Sequence, residues 1–353
     1  MMNKYLLYIV FLPTIILSNF NHNAQIWIDY NDSNNYESVM GYIPEFNFKY
    51  KDFDFMYSNK IIIKNLDSNY YNQDYRYWAR YHNEFIDIRT GLQKISFGSA
   101  FILRNLNWFD SIDFRNSTNQ TIGQKSFSIK YFSTNNFDLN FWLIPDDDDE
   151  LSYGSRLEFF NKFGNYGFVF FKDNTNYNHS IINIPQIVQT GNIFSGVFEP
   201  GTLLEFKQNE RLGFDYRYDG YFGLWLESSY INFMKTQTID NMYFITIGAD
   251  YTLNAWNGVY LMWESMHYKF NNNYIQSLDQ AIFKNNISSV MIQYPIGILY
   301  DLSFVRLFDN QSDNYYDFIR LTTIYDYFTV NYSYSINPEE YGNNFQMMIV
   351  YNY

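Results

Sequence analysis

The chain has 353 residues, no cysteine, and 24 Lys+Arg against 37 Asp+Glu, for a formal net charge of −13. That acidity argues against nucleic acid as a partner, because phosphate binding needs a clustered basic surface. The lack of Cys excludes disulfides and thiolate metal sites.

Aromatic residues make up 22% of the chain, yet the mean hydropathy is only −0.35. Apolar and polar side chains are therefore interleaved rather than segregated. Such interleaving suits strands with one apolar and one wet face, in a membrane barrel or in a large soluble β-sandwich.

Residues 1–24 read as a secretory signal peptide. Lys4 supplies the charged start, and the apolar run from Tyr5 to Leu17 is too short, and too broken by Pro13, to be a membrane-spanning helix. Cleavage is expected after Ala24, with Ser18 as a second candidate, leaving 25–353 as a single domain. No later segment has the apolar length of a membrane helix.

From there to the end the dominant period is two. Phe46, Phe48 and Tyr50 alternate with Asn47 and Lys49. Phe127, Ile129 and Tyr131 alternate with Ser126, Ser128 and Lys130. Phe137, Leu139, Phe141 and Leu143 alternate with Asp138, Asn140 and Trp142. The same pattern recurs from Arg211 to Tyr218, from Tyr243 to Thr252 and from Phe328 to Ser335.

Short connections are expected near 51–53, 82–84, 133–136, 163–166, 219–220, 254–258, 294–297 and 325–327. Longer ones are expected near 32–42, 65–72, 99–121, 145–152, 176–203, 232–240, 269–285, 308–314 and 337–342. Regular alternation of tight and long connections is the habit of outer-membrane barrels, with periplasmic turns on one rim and external loops on the other. The implied fold class is all-β: a transmembrane antiparallel up-and-down β-barrel of about 18 strands, or 16 if one hairpin is misread. A barrel that wide is too large for its own side chains to fill.

Several charges fall on the polar face of these strands. Arg76, Arg80, Asp87, Arg89, Gln93, Arg156, Glu158, Arg211, Asp215 and Arg217 are the candidate lumen-lining residues. Glu227, Asp250 and Glu264 continue the set. Charges of both signs across a pore would set a transverse field and ion selectivity, or would stiffen the wall as ion pairs.

The stretch Arg89-Thr90-Gly91-Leu92-Gln93-Lys94-Ile95-Ser96-Phe97-Gly98 enters a long loop, 99–121, that carries Arg104, Trp108, Asp110, Asp113 and Arg115. The loop is long enough to fold inward as a constriction or to form an external cap. Gly91, Gln93, Ile95, Phe97 and Gly98, followed by Asn107, Phe109, Asp110 and Asp113, resemble a motif of porin-like outer-membrane barrels that include alginate-export-type porins. The resemblance is confined to residues 89–132. The loop prolines of that motif are absent, and Leu92 stands where Arg is usual. The resemblance implies passive or substrate-selective diffusion of small solutes.

The apolar loop 176–203 is expected to pack into the lumen mouth or against another loop. The acidic run Asp146–Glu150 suits a solvated external loop better than a Ca²⁺ site. Catalysis has little support. Of His22, His82, His179 and His267, only His267 shares a strand face with a serine, Ser265, and no third orienting group can be assigned. No phosphate loop, zinc spacing or redox motif is found, so no cofactor or metal is expected.

The chain ends on alternating Phe345, Met347, Ile349, Tyr351 and Tyr353. This pattern is similar to the C-terminal signal read by barrel-assembly machinery. The expected partners are that machinery, outer-membrane lipid and lipopolysaccharide, and a small polar solute. The function expected is a porin-like outer-membrane channel for small polar or anionic solutes. The rivals are a blocked barrel acting as adhesin or secretion accessory, and a secreted glycan-binding β-protein.

Overall fold

A computed structural model describes residues 20–31, 37–64, 70–110, 114, 118, 120–121, 123–145, 150–174, 208–234, 240–271, 284–310, 314–338 and 343–352. These form one sheet of 18 strands. The first nine are β1 (Phe20–Asn31), β2 (Glu37–Tyr50), β3 (Phe53–Lys64), β4 (Tyr70–His82), β5 (Ile86–Gln93), β6 (Gln124–Phe132), β7 (Phe137–Pro145), β8 (Leu151–Asn161) and β9 (Gly164–Asp173). The others are β10 (Asn209–Asp219), β11 (Gly223–Phe233), β12 (Asn241–Leu253), β13 (Val259–Asn271), β14 (Lys284–Ile296), β15 (Tyr300–Asp309), β16 (Asn314–Ile324), β17 (Phe328–Ile336) and β18 (Asn344–Asn352).

Every strand pairs antiparallel with its sequence neighbours. β1 closes the ring against β18, from Gln25↔Asn352 to Asn31↔Gln346. Closure removes every free edge, and in lipid a free edge would leave unpaired backbone groups. A single closed sheet also excludes the two-sheet sandwich.

The turns at 51–52, 83–85, 133–136, 162–163, 220–222, 254–258, 297–299 and 325–327 lie on one rim, where β1 starts and β18 ends. The longer connections lie on the other. β2 starts at Glu37, so the first of these is shorter than 32–42, because Val39 to Tyr42 already pair with both β1 and β3.

The outward face is apolar. Ile28 on β1, Phe141 on β7, Leu212 on β10 and Ile245 on β12 are 50%, 54%, 53% and 47% exposed. A soluble protein would expose such residues singly. Here they recur around the wall, which makes the barrel a membrane-spanning one. Phe345, Met347, Ile349 and Tyr351 take outward positions on β18, opposite the inward Gln346, Met348 and Val350. Tyr353 is outside the described residues.

The inward face follows its own rule at three places. Trp27, Trp142 and Trp225 sit directly across a strand pair from Gly41, Gly154 and Gly248. Each indole lies where a β-carbon on the facing glycine would be. An aromatic laid over a cross-strand glycine covers its bare backbone and fixes the register.

β1 includes residues 20–24, which pair with β2 from Phe20↔Phe48 to Ala24↔Pro44. A cut after Ser18 would leave β1 whole, whereas a cut after Ala24 would remove that paired start.

Candidate functional site

The chain leaves the wall after Gln93, not at Gly98. At Gly98 the backbone takes φ +102°, and a β-carbon would run into the Glu227 carboxylate. Glycine is needed there for both the left-handed conformation and the close approach.

Residues 94–110 of the 94–123 connection fold into the lumen and lie against the wall. Leu103, Leu106, Trp108 and Phe109 are at most 3% exposed. Two carboxylates that the sequence placed among the open lumen charges are instead covered, and they clamp the loop. Glu227 on β11 accepts hydrogen bonds from the backbone N–H of Ala100 (2.6 Å), Asn105 (3.1 Å) and Leu106 (3.4 Å).

Glu264 on β13 accepts from the N–H of Phe101 (2.6 Å), Ile102 (2.9 Å) and Leu103 (2.7 Å), and from the indole N–H of Trp225 (3.0 Å). Thr246 on β12, between them, donates to the Leu103 carbonyl (2.8 Å) and accepts from the Asn105 amide (2.9 Å). Charge-assisted bonds of this kind are shorter and roughly twice as strong as neutral ones. They leave neither carboxylate unmatched in its buried position.

On the neighbouring wall Phe97, Trp108 and Phe109 pack with Trp142 on β7 and Phe171 on β9. Phe109 meets Phe171 edge-on at 4.8 Å. Arg104 pins the loop to itself, donating to Asp110 (3.0 Å), Asn107 (3.2 Å) and Ser96 (3.3 Å).

The loop then crosses the lumen. Arg320 on β16 donates to the Phe114 carbonyl (2.8 Å), Gln120 donates to Gln25 on β1 (3.0 Å), and Arg76 on β4 donates to both Thr121 oxygens (2.8 and 2.7 Å). Asp113, Arg115, the segment 176–203, the Asp146–Asp149 run and His179 are outside the described residues.

The inward arginines are matched rather than bare. Arg156 donates twice to Asp215 (2.6 and 2.7 Å) and once to Glu158 (3.0 Å), and Lys130 extends the network from Glu158 (3.2 Å) to Asp138 (3.1 Å). Arg211 pairs with Asp173 (2.9 Å) and is 1% exposed beneath the Trp108 ring.

Arg80 bonds Asp87 (2.6 Å) and lies 3.6 Å from Asp54, which His82 also faces (3.4 Å), while Arg89 stacks 4.8 Å from the Trp78 ring centroid. Arg217 bonds Asp219 (2.9 Å) and reaches Asp250 (3.5 Å) near the tight-turn rim. Gln93 is buried, bonding the Ser126 carbonyl (3.2 Å) and the Ser128 hydroxyl (3.3 Å). Ser265 and His267 face outward, bonded to Ser288 and Asn286 on β14.

Among the described residues two cavities lie elsewhere, and sequence reading did not single them out. One cavity of about 360 Å³ sits towards the long-connection rim, against Trp27, Asp29, Lys60 and Gln346. A second of about 440 Å³ sits towards the other rim, against Gln25, Glu45, Tyr75 and Asn352. Thr118 lines both. The alternation does put Asp29, Glu45 and Lys60 on inward positions. Nothing local tells which inward positions the loop will leave uncovered.

The protein is thus a closed antiparallel outer-membrane barrel whose post-β5 connection packs against the inner wall. Solved structures agree in fold. OccK2 (OpdF) of Pseudomonas aeruginosa matches at TM-score 0.61 and 8% identity, over 96% of this chain and 98% of that one. OpdK of the same organism, solved with vanillate, matches at 0.58 and 8%, over 95% and 98%. Wzi of Escherichia coli, described as a carbohydrate-binding β-barrel involved in group 1 capsule assembly, matches at 0.54 and 10%, over 98% and 87%. No protein-family model and no curated protein matches the sequence.

Proposed function

We propose that the protein is an outer-membrane diffusion channel for small polar solutes, narrowed by its own 94–123 loop. The observation that carries this is the clamp. Six backbone N–H groups of the loop converge on Glu227 and Glu264. A loop so held inside a wide barrel reduces the lumen to a passage of defined section without a separate plug.

Support for an anionic solute is weaker than the sequence suggested, because Arg80, Arg156 and Arg211 are each bonded to a carboxylate. The narrower alginate-export-type reading rests only on the stretch Arg89 to Phe132. Insertion would use outer-membrane lipid and lipopolysaccharide around the apolar belt, with assembly machinery reading the β18 pattern. Truncation of the terminal aromatics is expected to leave the protein unassembled in the periplasm, as fractionation would show.

The direct test is stepwise conductance of purified, heat-modifiable protein in a planar bilayer. Folded protein that inserts and stays silent overturns the channel reading. The filled half of the lumen would then favour a blocked, solute-binding barrel, to be tested by calorimetry with oligosaccharides.

A further inference from the structure

Resting on the channel reading, we infer that solutes cross along one side of the barrel only, between the loop and the β18–β1–β2–β3 wall. The constriction is the Gln25–Gln120 contact, and the passage favours neutral and cationic solutes over anions.

Three observations combine. First, the two cavities lie one above the other on that wall. The upper is lined by residues near the long-connection ends of β1, β3 and β18, and the lower by residues near their opposite ends or on β2 and β4. Thr118 borders both, so they are two chambers of one route. On the wall from β7 to β16, inward side chains pack with the clamped loop in two hydrophobic clusters, one aromatic around Trp108 and one mainly of aliphatic and methionine side chains around Leu103.

Second, the chambers meet at a held pair of amides. Gln120 donates to the Gln25 side-chain oxygen (3.0 Å), and Gln25 in turn donates to Asn352 across the closing β1–β18 seam (3.2 Å). Both amides are thus oriented, and a passing solute with hydroxyl or amide groups can exchange for these bonds one at a time. An apolar solute would break them without replacement.

Third, the charges bordering the chambers differ from those of the whole lumen. Among the described residues no arginine lines either chamber. The charged lining residues are Asp29 and Lys60 above and Glu45 below. Of the lining charges two carboxylates outnumber one ammonium, with Arg76, stacked on Tyr75 behind the lower chamber, facing Glu45. Lys60 lies over the Trp27 ring, 5.6 Å from its centroid, with no carboxylate within ion-pair distance among the described residues. A low-dielectric passage with this balance attracts cations and passes neutral molecules.

The absence of native cysteine makes a thiol placed in the passage unique. Gln25→Cys, at the constriction, and Ser289→Cys, an inward position on the filled side, are to be compared in planar bilayers before and after a cationic methanethiosulfonate. Modification of Gln25→Cys is expected to cut the current by about half or more, and that of Ser289→Cys to leave it unchanged. Ser335→Cys in the upper chamber serves if Gln25→Cys does not fold.

Reversal potentials in a KCl gradient should show cation preference, increased by Lys60→Gln and reduced by Asp29→Asn with Glu45→Gln. Equal block at both thiols, or anion preference, overturns the inference while leaving the channel intact. A silent wild-type protein overturns the channel itself.

Discussion

The barrel has two unlike halves. From β7 to β14 the lumen is packed like a protein core: Trp142, Phe171, Met242 and Met266 face inward and are at most 2% exposed, and the loop covers them. From β18 through β1 to β3 the inward face mixes a small apolar cluster of Trp27, Ile43, Met348 and Val350 with Gln25, Asp29, Glu45 and Lys60, and the cavities remain. The strands on the two sides obey the same alternation. The difference arises because the first side has inward residues that want a partner, namely large apolar groups and two carboxylates in need of donors. The second side has a smaller apolar cluster that the loop does not cover, beside amides and a few charges that water or a solute can satisfy. Packing one side is what makes the other a passage.

The strongest way to break this contrast is to empty the packed side. Glu227→Ala combined with Glu264→Ala removes the acceptors of six loop N–H groups, each costing about 1–3 kcal/mol if left buried and unpaired. The loop should leave its seat, with single-channel conductance rising roughly threefold or more for a barrel of this width. Unchanged conductance would mean that the clamp does not set the passage.

Next in size is Arg156→Met. With Arg156 and Asp215 side chains only 9% and 4% exposed, a buried carboxylate is left alone, at a cost of about 3–5 kcal/mol. The midpoint of heat-modifiable migration should fall. Adding Asp215→Leu should restore most of it, and ion selectivity should stay the same, because the pair lies on the packed side.

Gly98→Val attacks the clamp more gently, by forcing a β-branched residue into φ +102° beside Glu227. Conductance should become noisy, with an average above wild type but below the double Glu variant. The smallest effect sharpens the contrast from the open side. Gln120→Ala loses one neutral hydrogen bond, worth about 0.5–1.5 kcal/mol, and should raise conductance by less than about twofold while lowering stability by no more than that amount.

Much of the wall was legible before any coordinates. Strand positions, their number, the sorting of connections between rims and the face on which Phe127, Phe141 or Tyr243 would lie all follow from period-two alternation, because a strand has only two faces and a wet lumen needs only one of them polar. Arg76, Arg156 and Arg211 are buried. Their burial was not visible, because it depends on what lies across the lumen.

The amino-acid sequence by itself determined a closed, lipid-facing sheet of this size with a long connection before β6, placed at 99–121, whereas the wall already ends at Gln93. Only the tertiary structure decided where that connection goes. Ala100 meets Glu227 across 127 positions of sequence, and Phe101 meets Glu264 across 163. Contacts that distant leave no periodic trace. They exist because ring closure brings the β11–β13 wall within reach of the loop, and they in turn fix which inward side chains meet a solute.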